Sequence, residues 1–244
     1  MSALSERALD ELALTTNVSS EGRSLSLDGS ELVCVVQDGD ATLVVRRVVG
    51  ATAKRFSVSA IILKLASQYF DRLFYGHMAE AQALANAKPV IVNLDGDDPS
   101  AVEVILRVLH HQRQDSSVNL DLELLANIAL HADKYDVSAV LEPWIAQWLD
   151  ALHPIGKDPI DIGLFLLATY RVSATSRFSL ASSLALRQFA EGFERSWSSH
   201  ELLQHIPGEL LSKIPPCNLD FVADFCRRIV QANTGGQTQT ETAH

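Results

Sequence analysis

The stretch FSVSAIILKLASQYFDRLF, residues 56–74, changes its apolar spacing partway along. Its first residues alternate between apolar and polar side chains, as a half-buried β-strand does. Further on, the apolar side chains recur at helical spacing, and Ser59 and Ser67 each stand where a serine caps a short helix. The stretch therefore predicts a strand that leads into two short helices with a bend at Ser67. The apolar stripe predicted for these helices is Ile62, Ala66, Tyr69, Phe70, Leu73 and Phe74.

Upstream of this stretch the sequence has strand character. The segments ELVCVVQ (31–37), DATLVVRRVV (40–49) and RFSVS (55–59) are rich in β-branched and aromatic residues, and turn-forming residues separate them. Residues 1–27 are rich in Ser, Thr and Glu and carry only a weak helical pattern, so they predict a flexible arm. Ordered structure is expected to begin near Asp28.

Downstream, KPVIVNL (88–94) predicts one more strand, and Asp98 with Pro99 predicts the start of a helix. The segment ALHADKYDVSAVLEPWIAQWL (129–149) then predicts two helices joined by a charged elbow at Tyr135. The tyrosine is expected to pack between them with its hydroxyl in water. The second helix is predicted to bury a wide apolar stripe that includes Trp144 and Trp148.

The segment HPIGKDP (153–159), with two prolines and one glycine, is the best internal boundary. Only helices are predicted beyond it: 160–171, 173–193, short ones near 202 and 210, and 219–231. Strands therefore come first and helices later, which favours an α+β fold followed by an all-α extension. The predicted division is an arm at 1–27, a domain at 28–152, a helical extension at 153–232 and a disordered tail at 233–244.

The composition excludes several classes of protein. Thirty acidic residues against twenty Lys and Arg give a net charge of −10, which repels nucleic acid and anionic membranes. No apolar run reaches the roughly 20 residues of a membrane span, and the N-terminus has no secretory signal pattern. Three cysteines without paired spacing fit a reducing compartment. The expected location is the nucleus or the cytoplasm.

Five pieces of the chain, taken in order, resemble the BTB/POZ domain, especially the divergent form common in fungal proteins. The resemblance covers about Asp28 to Leu152 and implies a small mixed sheet flanked by helices. It also implies a domain that self-associates and docks partners without catalysis. The pieces are DGDATLVV (38–45), FSVSAIILKLASQYFDRLF (56–74), HMAEAQ (77–82), VNLDGDDPSAVEVILRVLHH (92–111) and ALHADKYDVSAVLEPW (129–144).

The chain departs from many animal members of that family at one place. After the central strand those members have His and a basic residue, where this chain has Ser59 and Ala60. Asp40 aligns with the acidic residue that pairs with the basic group, so it is expected to lack that partner. This departure argues against a charged corepressor pocket.

A short motif suggests one partner. Members that dock onto cullin scaffolds carry a large apolar residue, any residue and then Glu at the place where this chain has Met78, Ala79 and Glu80. An apolar knob with an acidic neighbour suits a groove on a partner. The alternative interpretation is an ordinary helix end.

No pattern in the sequence predicts catalysis. His110 and His111 are adjacent on a predicted helix and point to different faces, with no spaced Cys or carboxylate to complete a metal site, so they indicate a helix C-terminus. The Asp-rich turns lack the ligand spacing of a calcium loop, and no G-x-S-x-G motif occurs. We therefore expect no enzyme, no metal and no cofactor.

The functional hypothesis is a non-enzymatic adaptor that self-associates, forms a homodimer and docks protein partners. A sharper version is a cullin-linked substrate adaptor for ubiquitin ligase, with Met78 and Glu80 at the contact. The alternative is a transcriptional or chromatin scaffold that acts by recruitment. The residues predicted to hold the core are Phe56, Val58, Leu63, Tyr69, Phe70, Tyr135, Trp144 and Trp148.

Overall fold

The computed structural model describes residues 23–25, 30–48, 51–86, 90–112, 119–152, 158–188 and 197–207. The predicted helices near residue 210 and over 219–231, and the predicted tail at 233–244, lie outside these ranges. So does most of the predicted arm.

Within these ranges a mixed sheet has five strands: β1 (Arg23–Leu25), β2 (Glu31–Cys34), β3 (Ala41–Arg46), β4 (Lys54–Val58) and β5 (Val90–Asp95). Their order is β1-β2-β4-β3-β5, with β2/β4 and β3/β5 parallel and the other two pairs antiparallel. Alternate residues of β3 and β5 are buried, because side chains of a strand point to opposite faces. One buried row crosses four strands: Val33 pairs with Phe56, Phe56 with Leu43, and Leu43 with Val92.

β1 lies inside the segment that was predicted to be an arm. It pairs with β2, so ordered structure begins before the expected Asp28. The strand is only three residues long and lies in a Ser-rich segment, so the local sequence does not predict it.

Four helices accompany the strands: α1 (Ala60–Ala66), α2 (Gln68–Tyr75), α3 (Ala79–Ala85) and α4 (Pro99–Leu109). The bend at Ser67 is present, and the Ser67 hydroxyl accepts a hydrogen bond from the Phe70 amide at 3.1 Å. Asp98 caps α4 through the Ala101 amide at 2.8 Å, with Pro99 at the first helical position, as predicted. Ser59 differs from its prediction, because its side chain makes no cap on α1.

The rest of the described chain is helical: α5 (Leu122–Lys134), α6 (Ser138–Ala151), α7 (Pro159–Arg171), α8 (Thr175–Gln188) and a 3-10 turn (Leu202–His205). Asp158 caps α7 at the end of the predicted boundary segment, accepting from the Asp161 amide at 2.9 Å. A small mixed sheet with flanking helices, followed by helices alone, confirms the predicted α+β class.

Two compact units result. The described residues up to 112 form one unit together with Tyr135–Val137, and the described residues of 119–134 and from 138 onward form the other. The first unit holds the sheet, α1 to α4 and the elbow, whereas the second holds α5 to α8. The domain boundary predicted at residue 152 stays a prediction.

A carboxylate of α4 is buried inside the first unit. Glu103 on α4 is fully buried, and it accepts hydrogen bonds from Lys54 Nζ at 3.2 Å and from Arg107 Nη2 at 2.9 Å. A buried charge is tolerated when it is paired and hydrogen-bonded in this way. The pair with Lys54 ties α4 to β4.

The predicted core needs three corrections. Phe56, Val58, Leu63, Phe70 and Tyr135 are buried, but Tyr69 and Trp148 are only half-buried and Trp144 is 36% exposed. On α6 the buried row is Leu141, Ile145 and Leu149, spaced one turn apart. Trp144 directly precedes Ile145, and Trp148 directly precedes Leu149. Because successive residues of a helix are rotated by about 100°, both tryptophans point away from the buried face.

Candidate interaction surface

The outer face of α1 is apolar and open to solvent. Ala60 and Leu63 are fully buried, whereas Ile61 is 46% exposed and Leu65 is 79% exposed. Ile61 and Leu65 are four residues apart, so they are neighbours on one side of the helix. We call this pair the α1 ridge. It is the kind of exposed apolar feature that marks a contact with another protein.

A cation and an aromatic ring lie beside the ridge. Lys64 Nζ lies 4.1 Å from the centre of the Tyr75 ring and 3.7 Å from the Asp71 carboxylate. Burial, with a smaller contribution from Asp40, raises the pKa of Tyr75. The phenol therefore stays neutral at physiological pH, and the surface beside the ridge combines apolar side chains with the Lys64–Asp71 ion pair.

Two side chains from elsewhere in the first unit hold the start of α1. The Ser59 amide donates to His110 Nε2 at 3.1 Å, and the Ala60 amide donates to Asp40 Oδ1 at 2.6 Å. These bonds satisfy backbone donors that a helix start leaves without an intrahelical partner. The cap that the sequence assigned to the Ser59 hydroxyl is supplied instead by residues 20 and 51 positions away.

Asp40, which was expected to lack its basic partner, thus has a different one: the N-terminus of α1, whose amides carry partial positive charge. Gly39 makes this approach feasible, because a Cβ there would lie 2.4 Å from Ser57 Oγ and 2.8 Å from the Val58 backbone. Any larger residue would push the loop away from β4 and move Asp40 from its position.

His110 stands at the C-terminus of α4, as predicted, and its ring is buried. Its Nδ1 lies 2.8 Å from the Leu106 carbonyl, which can only accept, so Nδ1 carries the proton and Nε2 is free to accept from Ser59. Burial lowers the pKa of His110, outweighing the hydrogen bond to Leu106, which raises it. The imidazole is therefore neutral at physiological pH.

The elbow is fastened by a second set of contacts. The Tyr135 hydroxyl donates to Asp97 Oδ2, and the Ser67 hydroxyl donates to the Tyr135 carbonyl at 2.6 Å. Rings of Tyr69 and Phe70 lie 5.1 and 5.3 Å from the Tyr135 ring. The prediction that this hydroxyl faces water is wrong, because Asp97, itself buried, provides an acceptor inside the fold. Burial and the contact with Asp97 raise the pKa of Tyr135.

The two residues of the cullin-type motif begin α3. Met78 is the residue before the helix and is 53% exposed, while Glu80 lies in its first turn and is half-buried. No residue of α3 is buried. Gly76 allows the tight end of α2 before it, because a Cβ there would lie 2.2 Å from the Arg72 carbonyl oxygen.

Sequence reasoning missed the ridge and its anchors. The segment AIILKLA contains one polar residue in seven, a pattern typical of a helix that is buried on all sides, so it gives no sign of an uncovered face. The predicted stripe instead used Ile62 and Ala66, which are half-buried. No local pattern links His110 or Asp40 to α1, since both contacts are distant in sequence.

The part of the chain that the structure describes contains no group of three or more His, Cys, Asp or Glu placed to hold a metal ion. In those same ranges, no helix combines the length and apolarity needed to cross a bilayer.

Comparison with known proteins agrees with the fold. A family model of the BTB/POZ domain matches residues 36–144, which include β3 to β5, the α1 ridge, the motif at Met78 and the elbow. A search of the curated proteins found no match. BTB/POZ domains are protein-interaction modules. By its fold and by this match, residues 36–144 of the chain form a BTB/POZ domain.

Proposed function

We propose that the chain is a non-enzymatic adaptor that self-associates through the α1 ridge and docks other proteins on the remaining surface. In this proposal the domain at 28–152 makes the contacts, and the helices beyond it extend the surface. The observation that carries it is the exposure of Ile61 and Leu65 on a helix whose start is fixed.

The fixed start matters because binding costs less when the contacting side chains are already ordered. α1 has only seven residues, too few to be a stable helix alone, so its conformation depends on contacts with the rest of the unit. The buried side chains of Ala60 and Leu63, together with the two bonds at its start, supply those contacts. The ridge is thereby presented in one orientation, as a self-complementary interface requires.

Sedimentation of the full chain over a range of concentrations tests self-association. We expect a dimer at tens of micromolar, and we expect Leu65→Asp to raise its dissociation constant at least about thirtyfold, the effect of losing a central apolar contact. Leu180→Asp is the matched control, because Leu180 is also an exposed leucine on a helix, α8, outside the family match. A monomer at every concentration, or equal loss in both variants, contradicts this part of the proposal.

A more specific function within this class is a cullin-linked substrate adaptor. The exposure of Met78 just before α3, with Glu80 in the first turn, favours it, because no residue of this helix is fully buried. Such a pair can enter a partner groove without unfolding the domain.

Capture with a cullin N-terminal fragment tests this function. We expect the fragment to capture the wild type but not the Met78→Asp or Glu80→Lys variant. Glu142→Lys reverses the charge of an exposed acid on α6, so it is the control for charge alone and should be captured. Equal capture of all variants, or capture of none, contradicts the cullin link and leaves self-association untouched.

The alternative function is a transcriptional or chromatin scaffold that acts by recruiting other proteins. The acidic charge of the chain favours partners that are proteins over direct binding to nucleic acid. Fluorescence localisation of the tagged chain separates the two: exclusive nuclear signal with chromatin proteins in affinity capture favours the scaffold, and cytoplasmic signal with cullin favours the adaptor.

A further inference from the structure

We propose that His110 is a protonation switch for the α1 ridge: a proton from solvent that binds Nε2 removes the acceptor of the Ser59 amide and releases the start of α1. This inference rests on the proposed self-association through α1 and supplies its regulation.

The geometry allows one neutral form of the ring. Nδ1 must donate to the Leu106 carbonyl, and Nε2 must accept from the Ser59 amide. In the imidazolium both nitrogens are donors, so N–H would face N–H at 3.1 Å. The ring is buried, so no water replaces the lost contact without a local movement.

The charged neighbours of the ring make the change larger than one hydrogen bond. Two titratable groups act on it: Asp40, on the loop before β3, and His111, on the end of its own helix. Asp40 is the anion, and it already holds the Ala60 amide. A positive ring attracts this carboxylate away from Ala60, because an ion pair is stronger than a bond to a neutral amide. Both acceptors at the start of α1 then change at once.

The ridge begins directly after these two amides. Ile61 follows Ala60, and Leu65 lies one turn further along a helix of seven residues. In so short a helix the first turn nucleates the rest, so its release loosens the turn that carries Ile61, and the orientation of the ridge is no longer fixed. Burial keeps the ring neutral at pH 7, and the switch operates below the ordinary histidine pKa of about 6.5.

Sedimentation of the full chain at pH 7.5 and 5.5 tests the switch. We expect the dimer of the wild type to weaken more than about fivefold at pH 5.5, because about fivefold corresponds to one lost hydrogen bond and two acceptors change. His110→Gln should hold its affinity at both values, because an amide can accept from Ser59 and donate to Leu106 without titrating. His111→Asn is the control for a neighbouring histidine and should behave as the wild type, since Asn tolerates the positive φ of 55° at that position.

A wild-type dimer that keeps its affinity at pH 5.5, or a His110→Gln dimer that weakens as much as the wild type, overturns the inference. The amide resonance of Ser59 in a ¹⁵N-labelled full chain gives a second readout that needs neither a dimer nor a variant. We expect it to titrate together with the His110 ring, with a midpoint below 6.5. If the chain is monomeric at pH 7.5, the self-association proposal fails, while a Ser59 resonance that titrates with His110 still supports the switch. A Ser59 resonance that does not shift as the His110 ring titrates overturns the switch.

Discussion

The elbow at Tyr135 and the start of α1 are both held by residues far away in sequence, yet the two anchors differ in kind. At the elbow a buried ring packs against Tyr69 and Phe70 and donates to a buried carboxylate. At α1 two titratable side chains, His110 and Asp40, accept from backbone amides. Three packed aromatic rings support the first anchor, whereas two hydrogen bonds and the smaller buried side chains of Ala60 and Leu63 support the second.

This difference indicates how the domain divides its work. Opening an anchor that combines aromatic burial with a charge-assisted hydrogen bond costs a large free energy, so the elbow stabilises the fold. An anchor made of two acceptors can be released by one proton or one substitution without opening the core. The exposed ridge of Ile61 and Leu65 follows the second kind of anchor, so the surface proposed to bind partners is the adjustable part.

The largest effect is expected at the elbow. Tyr135→Ala removes a fully packed ring and should lower the free energy of unfolding by about 3 to 5 kcal/mol. Tyr135→Phe keeps the ring but leaves Asp97 without the hydroxyl donor, which should cost about 2 kcal/mol. Urea denaturation measures both. Tyr170→Phe, on a half-buried tyrosine of α7, is the control and should change little; equal effects of the two phenylalanine variants would remove the distinction between the anchors.

A smaller effect is expected at Asp40. Asp40→Ala deletes the acceptor for the Ala60 amide and should cost about 1 kcal/mol, as the loss of a helix cap does. Asp40→Asn retains an acceptor oxygen and should cost less. Urea denaturation compares the two variants. If Asp40→Ala lowered the free energy of unfolding as much as Tyr135→Ala, the start of α1 would not be the weaker of the two anchors.

The stability of the protein should also depend on pH through His110. Because the folded pKa of His110 lies below its unfolded value, the contribution is fully present above about pH 6.5 and is lost as pH falls, since the unfolded chain binds the proton first. The difference in unfolding free energy between wild type and His110→Gln should therefore change between pH 7.5 and 5.5 in favour of the variant. A constant difference across this range would show that the ring does not titrate with folding.

The smallest effect is expected at Trp144, which tests whether the helix after the elbow relies on its tryptophans. Its partial exposure predicts that Trp144→Ala lowers the free energy of unfolding less than Leu141→Ala, which lies in the buried row of α6 and should cost about 2 to 5 kcal/mol. Thermal or urea unfolding of the two variants measures both losses of stability. A larger loss at Trp144 would restore the original prediction that the tryptophans carry the packing.

Local patterns predicted most of the fold. The change from period two to helical period at Val58, the cap at Ser67 and the pair Asp98–Pro99 each depend on neighbours within four residues, and the structure has them where the sequence put them. The α6 tryptophans were placed wrongly because a wide apolar stripe does not say which of its edges faces the neighbour.

The anchors could not be predicted in the same way. Tyr135 and Asp97 are 38 residues apart, and Ser59 and His110 are 51 residues apart. Nothing in either local sequence states that the two will meet, since their approach follows from the way the sheet and helices pack. For the same reason the sequence left Asp40 without a partner, although the family resemblance had marked the position as one that holds a charge.

If the α1 ridge is a contact surface, a photo-crosslinker placed on it should join two copies of the chain. A benzophenone amino acid placed at position 65 of the full chain should, on irradiation at tens of micromolar, give a product of twice the chain mass, while the same group at position 180 should not. If position 65 gives no product, or if position 180 gives as much, then the ridge is not where copies of this protein meet.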